Sequence, residues 1–315
     1  MPIASIVAEP PLQDVQTAQH VITSNTKRGV PMPWWAKIAA KVVLSRVMPS
    51  YQVRQRIGLF RHGAMDRDPH RQIRQVERVI AHHRAHGRGT PRAILELGPG
   101  DSVGMALVAK SMGFHTSYLV DVGDFASRDM QVYTRLLDAL REGGYTPPSD
   151  VDISSRDTLL KSVDSSYHTI GTQALKDIPD TAIDILFSNA VLEHVARSEF
   201  QDLIEETFRI MTPGAIAHHQ IDLMDHLGGA LNNLRFSQRA WEGSLMSNSG
   251  FYTNRLRFSE ILDIVKKTGF NFAVTQITAW PELPTPKRAL ADPFNALPDD
   301  ELKVATFGLL LRKPD

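Results

Sequence analysis

The chain has no cysteine among its 315 residues. That removes disulfides, thiolate zinc sites, a cysteine nucleophile and thiol redox chemistry together, and it suits a reducing cytoplasm. Net charge is absent too: 35 basic residues balance 35 acidic ones, so no global field draws the chain to nucleic acid or to an anionic membrane. No nucleic-acid partner is expected. The sequence also lacks a run of about 18 apolar residues to cross a bilayer, and a basic start followed by an apolar stretch that would mark export. A soluble, cytoplasmic protein is the expectation. No internal repeat is visible.

What is there falls into three parts. Residues 1–32 are rich in Pro, Thr, Gln and Asn with little periodicity, and predict a loosely ordered lead-in. Two helical patterns follow, "WWAKIAAKVVLSRVM" and "HRQIRQVERVIAHHRAHG", the second closed by glycine as a helix end. From Pro91 onward strands and helices alternate. The candidate strands are Ala93 to Leu97, Ser117 to Val120, Ile183 to Ser188, Ile216 to Leu223, Phe272 to Ile277 and Ala305 to Leu311. Helical segments such as "SEFQDLIEETFRIM" and "FSEILDIVKKTGF" lie between them, and that alternation implies a parallel, doubly wound α/β sheet with helices on both faces.

The stretch "ILELGPGDSVG" at Ile94 to Gly104 reads as a buried strand ending in a tight turn before a helix. It lacks the Lys-Ser/Thr ending of a phosphate-gripping loop, which disfavours nucleotide hydrolysis. Its glycines are spaced G-x-G-x-x-x-G, not as in a dinucleotide fingerprint, and an acid, Glu96, stands two residues before the first. A carboxylate there repels a pyrophosphate and attracts an ammonium group. Asp121, closing "SYLVD" about 20 residues on, is placed either to accept hydrogen bonds from both hydroxyls of a ribose or to cap the following turn.

"ILELGPG", "YLVD", "IDILFSNAVLEHV" and "TFRIMTPGAIAHHQIDLMDHL" occur in that order, and together they resemble the class I methyltransferases that use S-adenosylmethionine. Within these the chain is most similar to the branch with "LEHV" after the fourth strand, several of whose members methylate sugars or other small hydroxylated molecules. The resemblance covers residues 91–315 and leaves residues 1–90 as an N-terminal extension. It implies a Rossmann-like, mostly parallel, seven-stranded sheet. It also implies that Glu96 orients the cofactor's methionine amine, that Gly98 and Gly100 make room for the methionyl and ribose part, and that Asp121 takes the ribose hydroxyls. Ser188 completes the cofactor set. Where many members place an acid for adenine, "GTQALKDIP" has none, leaving Gln173 or a backbone carbonyl to serve.

A hydroxyl acceptor must lose a proton, which calls for a base or a metal near the ends of the fourth and fifth strands. Glu193 and His194 follow the fourth, in or at the start of a helix, where an acid is favourable for structure alone. His218, His219, Asp222, Asp225 and His226 follow or end the fifth. His218 and His219 face opposite sides of a strand, and His218 reads as structural. The catalytic candidates are His226 as base, Asp222 as its positioning partner, and His194. Related ubiquinone-biosynthesis O-methyltransferases carry E-x-x-E-H here as a metal site, but Ala190 replaces the first acid. Glu193, Asp222 and Asp225 remain as an all-oxygen set for magnesium.

The long segment 227–258 reads as a lid. Asn232, Arg235, Trp241, Tyr252, Asn254 and Arg257 are its candidate acceptor contacts, the alternative being a helical hairpin whose aromatics pack on the core. The amphipathic helix at 33–48 either docks on its own domain or a second copy, or lies in a membrane interface at the inner face, where a lipid-linked glycan would be met. The expected activity is O-methylation of a sugar in a cell-surface glycan or its precursor. The alternatives are a quinone or other secondary metabolite as acceptor, and a non-catalytic scaffold.

Overall fold

The computed structural model describes residues 12, 15–22, 33–39 and 68–315. Expectations for the remainder, including residues 40–48 of the amphipathic helix, lie outside them. Eight strands form one sheet: β1 Ala18–Val21, β2 Ala93–Leu97, β3 Thr116–Val120, β4 Ser165–His168, β5 Ile183–Asn189, β6 Met211–Asp222, β7 Asn271–Ala279 and β8 Val304–Arg312, in the spatial order β1-β7-β8-β6-β5-β2-β3-β4. β8 runs antiparallel to β6 and β7, and every other pairing is parallel.

The strands pair where the sequence is apolar on both faces. β2 is buried at every position, as a strand covered on both sides must be. Leu95 and Leu97 enter one core with Leu186, Ala217 and Ile221, while Ile94 enters the other with Ile185, Phe187 and Ile216. Helix α1 (His70–His86) buries Ile73, Val76 and Val79 on the second face, with α2 (Gly104–Ser111), α3 (Met130–Glu142) and α4 (Arg156–Ser162) beside it. Helices α5 (Phe200–Ile210) and α6 (Phe258–Thr268) cover the first. In α5 the buried Phe200, Leu203, Ile204, Thr207 and Ile210 recur at the three- and four-residue steps of an amphipathic helix.

The sheet is one strand larger than the seven expected. The additional strand, β1, lies in the stretch expected to be loose, and its four residues are exposed. Backbone hydrogen bonding to the edge of β7 makes the strand, and side-chain periodicity has no part in it. The helical residues 34–39 place Trp34 and Ile38 against Leu227, Phe236, Trp241 and Phe251 of the β6–α6 connector, so this part of the amphipathic helix docks on the domain. No helix among the described residues is long and apolar enough to cross a membrane.

Strand order reverses between β2 and β5, and the loops after β2, β3, β4, β5 and β6 open on one edge. In doubly wound sheets ligands bind at such a switch point.

Candidate active site

At the carboxyl end of β2 the chain turns through Gly98 and Gly100, with φ of +69° and +65°, values glycine adopts without strain. Glu96 is 6% exposed, and its Oε2 has no hydrogen-bond partner. Burial, then the charges of Asp121 and Asp101, push its carboxyl up to about 8, with Arg71 only partly offsetting them. Asp121 follows β3. Its two oxygens accept from the backbone N–H of Gly100 (3.0 Å) and Val122 (2.7 Å), and burial raises it to about 6.

Two residues that sequence reasoning passed over stand beside Asp121. Val122 and Ile170 are 76% and 61% exposed. The Gly171 N–H donates to the Asp121 carbonyl (2.8 Å), which brings the β4 loop and its Ile170 alongside Val122. An apolar side chain directly after a strand-ending acid was the available signal. Gln173 is exposed on the 3-10 turn Gly171–Asp177 that follows. Ser188 is buried and lies 2.8 Å from His219 Nδ1; burial lowers that imidazole to about 4. His218 faces the other side of the sheet and stacks on His82 at 4.7 Å.

Beyond β5 the backbone passes through Ala190 at φ +55°. Glu193 and His194 then lie in the 3-10 turn Leu192–His194, ahead of α5. This corrects the expectation of a helix there: α5 starts only at Phe200, and the intervening turn aims Glu193 inward. Glu193 is 2% exposed, and neither carboxylate oxygen has a hydrogen-bond partner. Burial raises its pKa well above the ordinary range; its own backbone N–H, close by but outside hydrogen-bonding geometry, opposes this, and the charge of Asp222 adds to it. Asp222 accepts from the Met224 N–H (2.8 Å) and is raised to about 6, chiefly by burial.

The Tyr252 carbonyl lies 2.9 Å from His194 Nδ1. A carbonyl only accepts, so Nδ1 carries the hydrogen and Nε2 is the nitrogen without one. The His194 and His226 rings stack 4.7 Å apart. One ligand atom from each of Glu193, His194 and His226 lies within 4.8 Å of the others.

Of the acidic set expected for magnesium, Asp225 is engaged by its own loop. Asp225 Oδ1 accepts from the N–H groups of Leu227, Gly229 and Ala230, and Oδ2 from the backbone and side-chain amides of Asn232. Five donors fill its lone pairs, and it works as the cap of a tight loop.

The candidate acceptor contacts are likewise engaged within the protein. Asn232 bonds Asp225 and Arg235, and the Arg235 guanidinium sits 5.0 Å over the Trp34 ring. Trp241 is fully buried and donates to the Thr253 carbonyl (2.7 Å), while the Tyr252 hydroxyl donates to Glu242 (2.8 Å). Asn254 donates to the carbonyls of Leu192 and Val195. Arg257 is 3% exposed and donates to the carbonyls of Leu223, Glu301, Leu302 and Val304. Trp241 is fully enclosed, whereas Asn254 and Arg257, although held by backbone carbonyls, each border a cavity. Irregular segments, here the connector, the turn after β5 and the stretch leading into β8, leave backbone carbonyls that no ladder pairs, and these donors satisfy them.

A cavity of about 10 Å³ lies among Glu193, Asp222, Asn233, Thr253 and Arg255. A larger one, about 400 Å³, is lined by Arg197, Arg257 and Glu260 together with Phe294 and Leu297 of the β7–β8 connection. Glu96 and Asp121 do not line it.

No known family model and no curated protein matches the chain. Solved structures do resemble it. A SAM-dependent methyltransferase from Methanosarcina mazei is 17% identical, with 75% of this chain and 97% of that one covered at a TM-score of 0.42. Phosphoethanolamine N-methyltransferase 2 of Haemonchus contortus, solved with phosphomonomethylethanolamine and S-adenosylhomocysteine, is 15% identical over 77% and 53% of the two chains, TM-score 0.41. An arsenic(III) S-adenosylmethionine methyltransferase from Chlamydomonas reinhardtii is 15% identical over 78% and 73%, TM-score 0.41. The second and third are named for different acceptors, and the first for none. Likenesses this distant leave the reaction to be argued from the residues.

Proposed function

We propose that the protein is an S-adenosylmethionine-dependent methyltransferase acting on a hydroxyl of a small polyhydroxylated acceptor, a sugar of a cell-surface glycan or its precursor. The observation that carries this reading is Glu96: a buried carboxylate oxygen without a partner, beside a glycine turn and a second carboxylate. Such an arrangement is costly without a cation. An ammonium beside Glu96 and a diol beside Asp121, which can exchange its backbone bonds for hydroxyls, match the two ends of the methionyl-ribose unit. Val122 and Ile170 supply an apolar slot for a flat ring next to the ribose position, with Gln173 at its rim.

When bound, the cofactor supplies a methyl group already activated on a sulfonium. The protein then has to place an acceptor oxygen and take its proton. His226 is the proposed base. His194 stacks on it and is oriented by the Tyr252 carbonyl, and Asp222 holds the acceptor or the base from the end of β6. An oxygen acceptor is preferred because imidazoles and carboxylates, the groups suited to a hydroxyl proton, gather where β5 and β6 end.

Calorimetric titration with S-adenosylhomocysteine tests the reading. Micromolar binding that Asp121→Ala weakens at least tenfold, about 1.4 kcal/mol, is the expected result. A folded wild-type protein that binds none would overturn it and bring the scaffold alternative forward. Sugar and phenolic acceptors are then compared by methyl incorporation.

A further inference from the structure

We infer that Glu193, His194 and His226 form a binding site for a nitrogen-preferring divalent transition-metal ion of the zinc, cobalt or iron kind. Two loops bring the donors together, one after β5 and one after β6, with the three ligand atoms within 4.8 Å of one another. With bonds of about 2.1 Å, donors around a tetrahedral ion stand about 3.4 Å apart, so the trio draws together when an ion binds.

Two independent features indicate a cation. Glu193 is 2% exposed with both carboxylate oxygens unpartnered, and a buried polar group left so calls for an unseen ligand. His194 gives its Nδ1 hydrogen to the Tyr252 carbonyl; metal-bound histidines make this kind of bond, fixing the tautomer and aiming the other nitrogen. That carbonyl is itself held in place. Asn254, two residues on, donates its backbone N–H to the Glu193 carbonyl (2.7 Å) and its side-chain amide to the carbonyls of Leu192 and Val195.

Donor chemistry selects the ion. Magnesium prefers oxygen ligands in octahedral array, whereas two imidazoles and one carboxylate suit mid-to-late first-row ions and leave coordination positions open. With the ion bound, His226 is a ligand and no longer the base; the ion would hold the acceptor oxygen and lower its pKa in that base's place, a role that rests on the methyl-transfer reading. The choice of ligands does not.

The test strips the full-length protein with a chelator, dialyses it against Co²⁺, Zn²⁺ or Mg²⁺, and measures bound metal by elemental analysis and the visible absorption of Co²⁺. The same samples are titrated with S-adenosylhomocysteine. About one Co²⁺ or Zn²⁺ per chain is expected, with Mg²⁺ not retained. His226→Gln and Glu193→Gln should each weaken Co²⁺ binding at least about tenfold, and Asp222→Asn should keep it, with circular dichroism confirming that each variant is folded. Failure of folded wild type to retain any ion, retention of Mg²⁺ as well as Co²⁺, or Co²⁺ binding untouched by both ligand variants overturns the inference. S-adenosylhomocysteine binding without metal would sink this inference alone; metal binding without S-adenosylhomocysteine would sink the methyl-transfer reading alone.

Discussion

Replacing Glu96 by glutamine should make the free protein more stable at neutral and alkaline pH while weakening the proposed cofactor site. The folded carboxyl sits at about 8, against 4.5 when unperturbed, mainly because it is buried. At about 1.4 kcal/mol per tenfold, keeping that group ionised in the fold costs on the order of 5 kcal/mol once both states are charged. The contribution of the neutral acid is fully present below 4.5 and is lost as pH rises toward 8. Glutamine carries no such charge. Urea unfolding of wild type and Glu96→Gln at pH 5, 7 and 8.5 should therefore show an advantage for the variant that grows with pH and levels off above 8. Binding of an ammonium reverses the balance: at pH 7 a group at about 8 is roughly 90% protonated, so S-adenosylhomocysteine should expel close to one proton. Calorimetry in buffers of different ionisation enthalpy reads this directly. In Glu96→Gln the proton release should vanish and affinity should fall by about 1.5–3 kcal/mol, the worth of a hydrogen bond to a charged group. A stability difference that does not change with pH, or a ligand that binds wild type without releasing a proton, would refute the reasoning.

Other perturbations separate structure from binding. A Cβ at Gly98 would lie 2.3 Å from Val191 Cγ2, so Gly98→Ala should weaken S-adenosylhomocysteine at least about tenfold; adding Val191→Ala should restore part of it, and calorimetry on the pair decides. Asn254→Ala leaves the carbonyls of Leu192 and Val195 without their donor and should cost about 1–3 kcal/mol in urea unfolding. Arg257→Ala removes a buried guanidinium from four carbonyls and should destabilise by about 3–5 kcal/mol. If acceptor KM rose instead with stability unchanged, Arg257 would be the acceptor contact that the sequence suggested.

Legibility in the sequence followed burial. β2, β5 and β8 are nearly continuous apolar runs and stand out in the sequence. Strand β4, Ser-Ser-Tyr-His, is half-buried throughout, and β1 is exposed throughout; neither carries a pattern, because each exists through edge pairing with a neighbour distant in sequence. At the site, Glu96, Gly98, Gly100 and Asp121 are marked by spacing after strands. The polar residues of the β6–α6 connector were harder to read. A side chain that pairs a stray backbone carbonyl, as Asn254 and Arg257 do, is the same residue type that would grip a sugar, and only tertiary structure tells the two apart. Nor does sequence distance announce that His226, not Asp225, would come to lie beside Glu193.

The contact between Val191 and Gly98 joins two loops that ligands would otherwise touch separately. One carries the glycine turn, and the other leads in two residues to Glu193. A molecule that shifts either loop displaces the methyls lodged against its partner, so occupancy on one side alters affinity on the other, by the same factor in both directions. On the methyl-transfer reading, cofactor and acceptor are thereby coupled through a single valine.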